Sequence, residues 1–216
     1  MLRLMIIGPP GVGKGTQAEM IKKEFDLCHL STGNILRDAV QQNTPLGMKV
    51  KKYLDSGELV PDEVVGEIIE EKLREDDVKE RFLLDGFPRT AQQVEILDEI
   101  LNRLQEKLDA AFLIHLNEGE IIRRLSGRRI CSQCATLYHV SNKPPKRDGI
   151  CDECGGALIQ REDDREEVIK ERLTVYQRQT KPVIEIYKER GVLFEIDGGG
   201  NAEEVFQKIR QHLSGH

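Results

Sequence analysis

Gly8-Pro9-Pro10-Gly11-Val12-Gly13-Lys14-Gly15-Thr16 follows directly on the apolar run Leu2-Arg3-Leu4-Met5-Ile6-Ile7. Glycines let backbone N–H groups turn inward with no Cβ in the way. Placed before a helix N-terminus, those N–H groups form a nest for phosphate oxygens. Lys14 adds a mobile cation, and the pattern reads as a P-loop. It departs from the usual motif in one place: Gly15 intervenes after the lysine, so the hydroxyl falls on Thr16. Two rivals are weaker. A plain glycine turn does not require strand, glycines, lysine and helix in this order, and a dinucleotide loop wants a different third-glycine spacing and has no use for the lysine.

A second constellation is Cys131-Ser132-Gln133-Cys134 and Cys151-Asp152-Glu153-Cys154, two C-x-x-C knuckles with sixteen residues between them. Such an array predicts a tetrahedral zinc site on Cys131, Cys134, Cys151 and Cys154. Four thiolates close the coordination shell, so the metal is expected to be structural, stabilising a segment too poor in apolar residues to fold on its own core. A pair of disulfides is the alternative, and Fe(II) or Co(II) also suits four thiolates. Cys28 stands alone and reads as a small core residue.

The elements that must position these groups alternate. Strand-like apolar runs are Leu2–Gly8, Leu27–Leu30, Arg81–Asp85, Ala110–Leu116 and Val192–Asp197, most without polar alternation. That pattern predicts a parallel sheet covered on both faces. Helical patterns fall at Gln17–Phe25, Ile35–Gln42, Met48–Ser56, Glu63–Glu75, Ala91–Lys107, Glu118–Leu125, Glu166–Arg190 and Ala202–Leu213, with a kink expected at Pro182. The alternation is that of a doubly wound α/β fold. Residues 31–60 and 127–164 break it, the first with two short helices and the second with the cysteines; both read as mobile covers over a rigid sheet.

The chain of 216 residues is 38% hydrophobic and 32% charged, enough to bury a core and stay soluble. A net charge of −6 argues against a surface that neutralises nucleic-acid phosphates. The insertion mixes basic and acidic residues around one aromatic, Tyr138, which is little for base stacking. A zinc module that binds nucleic acid or protein is nonetheless the rival class. No signal-peptide pattern and no membrane-length apolar stretch is present, so a cytoplasmic protein acting away from membranes, as a monomer, is expected.

Leu83-Leu84-Asp85-Gly86-Phe87-Pro88-Arg89-Thr90 adds an acid at a strand end, suited to a magnesium–water site, and an arginine in the following turn. With the P-loop, this run resembles the nucleoside monophosphate kinases, and among them the adenylate kinases. Ser31-Thr32-Gly33, Glu58-Leu59-Val60-Pro61-Asp62, Gly127-Arg128-Arg129, Tyr138-His139-Val140 and Arg161-Glu162-Asp163-Asp164 stand in that family's order. The cysteine insertion is similar to the long zinc-bearing lid of some bacterial members.

The resemblance implies a P-loop NTPase-type fold: a core of 1–30, 61–126 and 165–216, an NMP-binding insertion of 31–60 and a zinc-bound lid of 127–164. It implies ATP plus AMP giving two ADP with Mg²⁺. By that resemblance Gly11, Val12, Gly13, Lys14, Gly15 and Thr16 hold ATP phosphates, and Asp85 holds Mg²⁺ through water. Arg124 lies on the ATP adenine, Arg128 contacts phosphates from the lid, and Leu137 and Tyr138 wall the ATP site. Gly200 receives the adenine edge through its backbone, although the family often has a bulkier basic residue near it. Thr32, Arg37, Glu58, Leu59, Val60, Gly86, Phe87, Pro88, Arg89 and Gln93 form the AMP site, and Arg161 and Arg172 close the clamp between the nucleotides. UMP/CMP kinases and GTP-dependent AMP kinases are the rivals within the class.

Overall fold

In the computed structural model, which describes residues 2–213, β1 (Leu2–Ile7) shows why the strands lack polar alternation. Leu4 and Ile6 enter one buried cluster and Met5 and Ile7 another, so successive side chains point into core on both sides of the sheet. In chain order there follow α1 (Lys14–Phe25), β2 (Cys28–Ser31), α2 (Thr32–Gln41), α3 (Pro45–Ser56), α4 (Asp62–Leu73), β3 (Arg81–Asp85), α5 (Ala91–Leu104), β4 (Ala110–His115) and α6 (Glu118–Ser126). Then come β5 (Arg128–Cys131), β6 (Leu137–His139), β7 (Leu158–Ile159), α7 (Glu166–Val175), α8 (Lys181–Glu189), β8 (Leu193–Asp197) and α9 (Ala202–Leu213).

Five strands form one parallel sheet in the order β2-β3-β1-β4-β8. From β1 the chain leaves to one side through β2 and β3, then crosses to the other through β4 and β8. The carboxyl ends of β1, β3 and β4 therefore meet at the reversal of strand order, where doubly wound sheets bind ligands. One face is covered by Ala18 and Ile21 of α1 with Val205, Phe206, Ile209 and Leu213 of α9. The other carries Ile69 and Leu73 of α4, Leu97 and Ile100 of α5, and Val183 and Tyr187 of α8.

The expected elements are present with adjusted ends. α1 starts at Lys14 rather than Gln17, because the loop's last glycine, Gly13 (φ 103°), is itself the N-cap. α5 stops at Leu104 where Gln105 turns left-handed (φ 59°). The long helix expected over 166–190 is interrupted one turn before Pro182, at a π-helical stretch Tyr176–Thr180. Proline has no N–H to return to the carbonyl four residues back, and the ladder widens there instead of kinking at the proline.

The cysteine segment, for which the sequence offers no strand signal, contains a small antiparallel sheet, β6-β5-β7. Its strands are two to four residues long, too short for a periodic signal. His115 lies exposed at the end of β4. Cys28 is half-buried against the core with its Sγ 3.6 Å from the Asp77 carbonyl. No helix among the described residues is long and apolar enough to cross a membrane.

α2 and α3 cross at Gly47, which is buried; a Cβ built there would overlap the Ala39 carbonyl of α2. Thr44 caps α3 by accepting the Gly47 N–H at 3.0 Å, so the crossing and the cap share one residue. Gly47→Ala is expected to lower unfolding free energy by about 1–3 kcal/mol through overpacking. Urea unfolding checks it, and a variant as stable as wild type would mean that the two helices separate freely.

Candidate active site

The phosphate loop sits at the carboxyl end of β1, where Gly11 has φ 79° and approaches α6 so closely that a Cβ would lie 2.5 Å from Leu125 Cγ. Lys14 Nζ reaches back over the loop and donates to the carbonyls of Gly8 (2.8 Å) and Pro9 (2.9 Å). Burial pushes the Lys14 ammonium down to about 7; Asp85 pulls it up, and Arg89, Arg172 and Arg128 push it further down. Thr16 is exposed in the first turn of α1.

Asp85 ends β3 and is buried beside the loop: a Cβ on Gly15 would lie 3.9 Å from its Oδ2. His29 on β2 faces it at 3.4 Å and faces Glu19 of α1 at 2.9 Å. Burial opposes charge on the ring, but the hydrogen bonds to Asp85 and Glu19 outweigh it and raise the His29 pKa. Burial alone would raise Asp85; His29, Lys14 and Arg89 hold its carboxyl below the usual range instead. The sequence offered no signal for this pair beyond a histidine in a strand.

The expected arginines converge. Arg89 sits in the turn after β3, its Nε donating to the Gly86 carbonyl at 2.8 Å. Arg172 of α7 pairs with Asp163 at 3.1 Å and Asp164 at 3.4 Å. Arg128, at the start of β5, holds Asp164 in a fork of 2.7 and 2.5 Å. Arg37 of α2 reaches Asp163 at 3.8 Å. The Nε of Arg161 is buried with no hydrogen-bond partner among the described residues. Burial lowers Arg37 to about 10, with Asp163 opposing and other arginines adding to the shift. It lowers Arg161 to about 9, helped by Arg37 and Arg128. Asp163 and Asp164 were legible in the sequence only as part of a motif; here they are the carboxylates that the guanidinium groups share.

Two clefts flank Arg89 and Arg172, which line both. One runs along Gly8, Pro10 and Lys14; the other along Thr32, Arg37, Glu58, Val60 and Gln93. Thr32 donates to the Gly86 carbonyl at 2.8 Å, tying the start of α2 to the turn Gly86-Phe87-Pro88. Gln93 is buried; its Oε1 accepts the Arg89 N–H at 2.7 Å and its Nε2 donates to Asp62 at 2.7 Å. One lone pair and one N–H of that amide remain. Asp62, not singled out from the sequence, also accepts from Thr90 at 2.9 Å.

Arg124 of α6 reaches the Val12 carbonyl (3.4 Å) and the Gly198 carbonyl (3.3 Å), joining the loop to the turn that carries Gly200. Arg123, Arg129 and Arg165 face away from the clefts in their bonding: to Glu120, to the Ser126 and Arg128 carbonyls, and to Glu162. In the small sheet Ile130 faces Leu137 and Arg129 faces Tyr138. Leu137 therefore shares a face with Arg128, and Tyr138 points to the other.

On that other face the four cysteine sulfurs lie within 4.8 Å of one another. Neighbouring pairs are 3.4, 3.6 and 3.4 Å apart. Zn–S bonds of about 2.3 Å in a tetrahedron need sulfurs about 3.8 Å apart, so the donor set and its dimensions fit zinc. A hydrogen bond from Tyr138 lowers the Cys151 thiol to about 6, against the opposing effect of burial.

Fold and site together define a P-loop phosphotransferase: a phosphate cradle and an acid at the carboxyl edge of a parallel sheet, with arginines between two clefts. The family model for adenylate kinase matches residues 6–192. The chain is 50% identical to an adenylate kinase of Methanocella arvoryzae over 97% of both chains. It is 49% identical to one of Clostridium tetani over 98% of both, and 44% identical to one of Clostridium novyi over 99% of both. The chain belongs to the adenylate kinase family, and it is an enzyme.

The His29 shift has a sign. A histidine raised above about 6.5 contributes stability that is complete below that value and is lost as pH rises through the folded pKa. Asp85, held low, contributes above about 3.9 and loses that contribution only as pH falls through its lower folded pKa. The margin of wild type over His29→Gln in urea unfolding is therefore expected to be larger near about pH 6 than near about pH 9. Equal margins would remove the charged histidine from the account.

Proposed function

We propose that this chain transfers the terminal phosphoryl group of ATP to AMP, reversibly, giving two ADP, with the residues in the following roles. The observation that carries the reading is the set of arginines standing between a P-loop cleft and a second cleft. Two polyanions meeting end to end need cationic groups at their junction, and Arg89 and Arg172 line both clefts.

ATP lies in the loop cleft, its phosphates on the N–H groups of Gly11–Thr16 and on Lys14, which exchanges its carbonyl partners for β- and γ-phosphate oxygens. A phosphate beside it restores its charge. Arg124 stacks on the adenine, whose edge reaches the Gly200 turn. The Leu137 side chain and the Tyr138 backbone wall the nucleotide from the lid. AMP lies in the second cleft between Thr32, Arg37, the Glu58–Val60 segment and Gly86–Arg89, with the spare valences of Gln93 reading its base. Magnesium arriving with ATP would neutralise phosphate charge; Asp85, ionised and beside the loop, and the open Thr16 hydroxyl would hold it.

An oxygen of the AMP phosphate attacks the γ-phosphorus as the bond to the leaving ADP oxygen breaks. The attacking oxygen is already anionic, so a general base is unnecessary, and positioning with charge stabilisation is the task. Arg128 and Arg172 shift from Asp163 and Asp164 to the oxygens in flight, and Arg161, whose Nε has no partner among the described residues, joins them. Residues 127–164 close over the core as a lid and exclude water, the competing acceptor, while 31–60 close over AMP. Zinc on Cys131, Cys134, Cys151 and Cys154 would keep that lid one body. All of these groups come from one chain, so a monomer suffices, and four clustered thiols suit the reducing cytoplasm.

A coupled assay of ADP formation tests this, with AMP, UMP, CMP and GMP as acceptors. Turnover with AMP alone is expected, and Lys14→Ala is expected to lose at least about 10²-fold of it with its fold intact. A different preferred acceptor would move the second-cleft assignment, and near-normal turnover of the variant would overturn the cradle. Cys131→Ala is expected to lower thermal stability far more than turnover at low temperature. Equal loss of both where the fold is intact would overturn a purely structural metal.

A further inference from the structure

Tyr138 does something that walling a nucleotide does not explain. Its side chain points to the metal face of the small sheet and is 4% exposed, in a segment with almost no apolar core. Its hydroxyl accepts the Asp152 N–H at 2.8 Å. With that lone pair engaged, the single O–H hydrogen is left to donate, and Cys151 Sγ lies 3.5 Å away. Cys151 is itself buried, so no water competes for the sulfur from that side.

The electrostatics favour the bond. Four thiolates bring twice the charge that a divalent cation neutralises, and donors to the sulfurs spread the excess. Thr136 Oγ1 also meets a sulfur, Cys134 at 3.1 Å, but it lies in the same turn as that cysteine and ties nothing across the site. Tyr138 differs: it stands on β6, beside the first knuckle, and grips the second at two points, the Cys151 sulfur and the Asp152 backbone.

We propose that Tyr138 is a positioning residue of the four-cysteine metal site, its hydroxyl donating to Cys151 Sγ and locking the second knuckle onto the hairpin that carries the first. The inference rests on reading the cysteines as a metal site. It gives one residue two tasks, because the same strand presents Leu137 to the nucleotide side. Metal affinity and the shape of the ATP wall are then coupled through one phenol.

The test begins with zinc content of the whole wild-type protein purified under reducing conditions with zinc supplied. A wild type that holds no zinc would overturn the metal reading and this inference with it. With wild type loaded, Tyr138→Phe is expected to lose about tenfold in zinc affinity in competition with a chromogenic chelator. With Co(II) in place of zinc, its thiolate-to-metal charge-transfer band is expected at longer wavelength, since a sulfur relieved of its donor gives up an electron more easily. Unchanged affinity and an unchanged Co(II) spectrum would overturn the role of Tyr138 while leaving the metal site standing. A measurement on wild type alone guards against a variant that fails to fold. With an NMR-active cadmium isotope bound, the Tyr138 hydroxyl proton is expected to exchange slowly and to show scalar coupling to the metal through Cys151. Fast exchange without coupling would overturn the hydrogen bond.

Discussion

Half-buried cationic side chains crowded around two clefts, with too few carboxylates to balance them, set the terms for everything else in this molecule. Arg37, Arg89, Arg161, Arg172 and Lys14 are each lowered by burial, and each also feels at least one other arginine. Removing charge from water is costly unless a partner is supplied. Asp85, Asp163 and Asp164 supply part of it, and the Arg161 Nε has no hydrogen-bond partner among the described residues. Such a cluster stores a preference for anions. Asp163, shared between Arg37 and Arg172, ties α2 to α7 across the cleft.

A cluster of like charges must be held by something stiffer than itself. The parallel sheet does this because both of its faces are core, leaving its carboxyl edge as the place where chemistry can stand. Loop, Asp85 and the Thr32 turn rise from β1, β3 and β2, neighbours in that edge. The segment of the small sheet cannot be stiffened in the same way, since its strands are too short to bury a core. There four clustered cysteine sulfurs stand where a hydrophobic core would otherwise be, with Tyr138 among the few large side chains buried beside them. The arginines come both from this segment and from the elements of the main sheet: Arg128 from β5, Arg37 from α2, Arg89 from the turn after β3 and Arg172 from α7.

The sequence by itself determined the fold class, the phosphate loop and the four cysteines. Each rests on local spacing: two-faced apolar strands, glycines ahead of a lysine, paired knuckles. It also named the arginines, but only through motif order, since a guanidinium in a charged chain carries no local sign of burial. Tertiary structure decided what those side chains face. Asp163 and Asp164 as counter-charges, His29 between Glu19 and Asp85, Asp62 beneath Gln93 and Thr90, and Gly47 under Ala39 all join residues from separate elements. The register of β5 and β6, which sends Leu137 and Tyr138 to opposite faces, was likewise invisible. The physical reason is common to all of them: burial and pairing depend on contacts far apart in the chain, while spacing speaks only for neighbours.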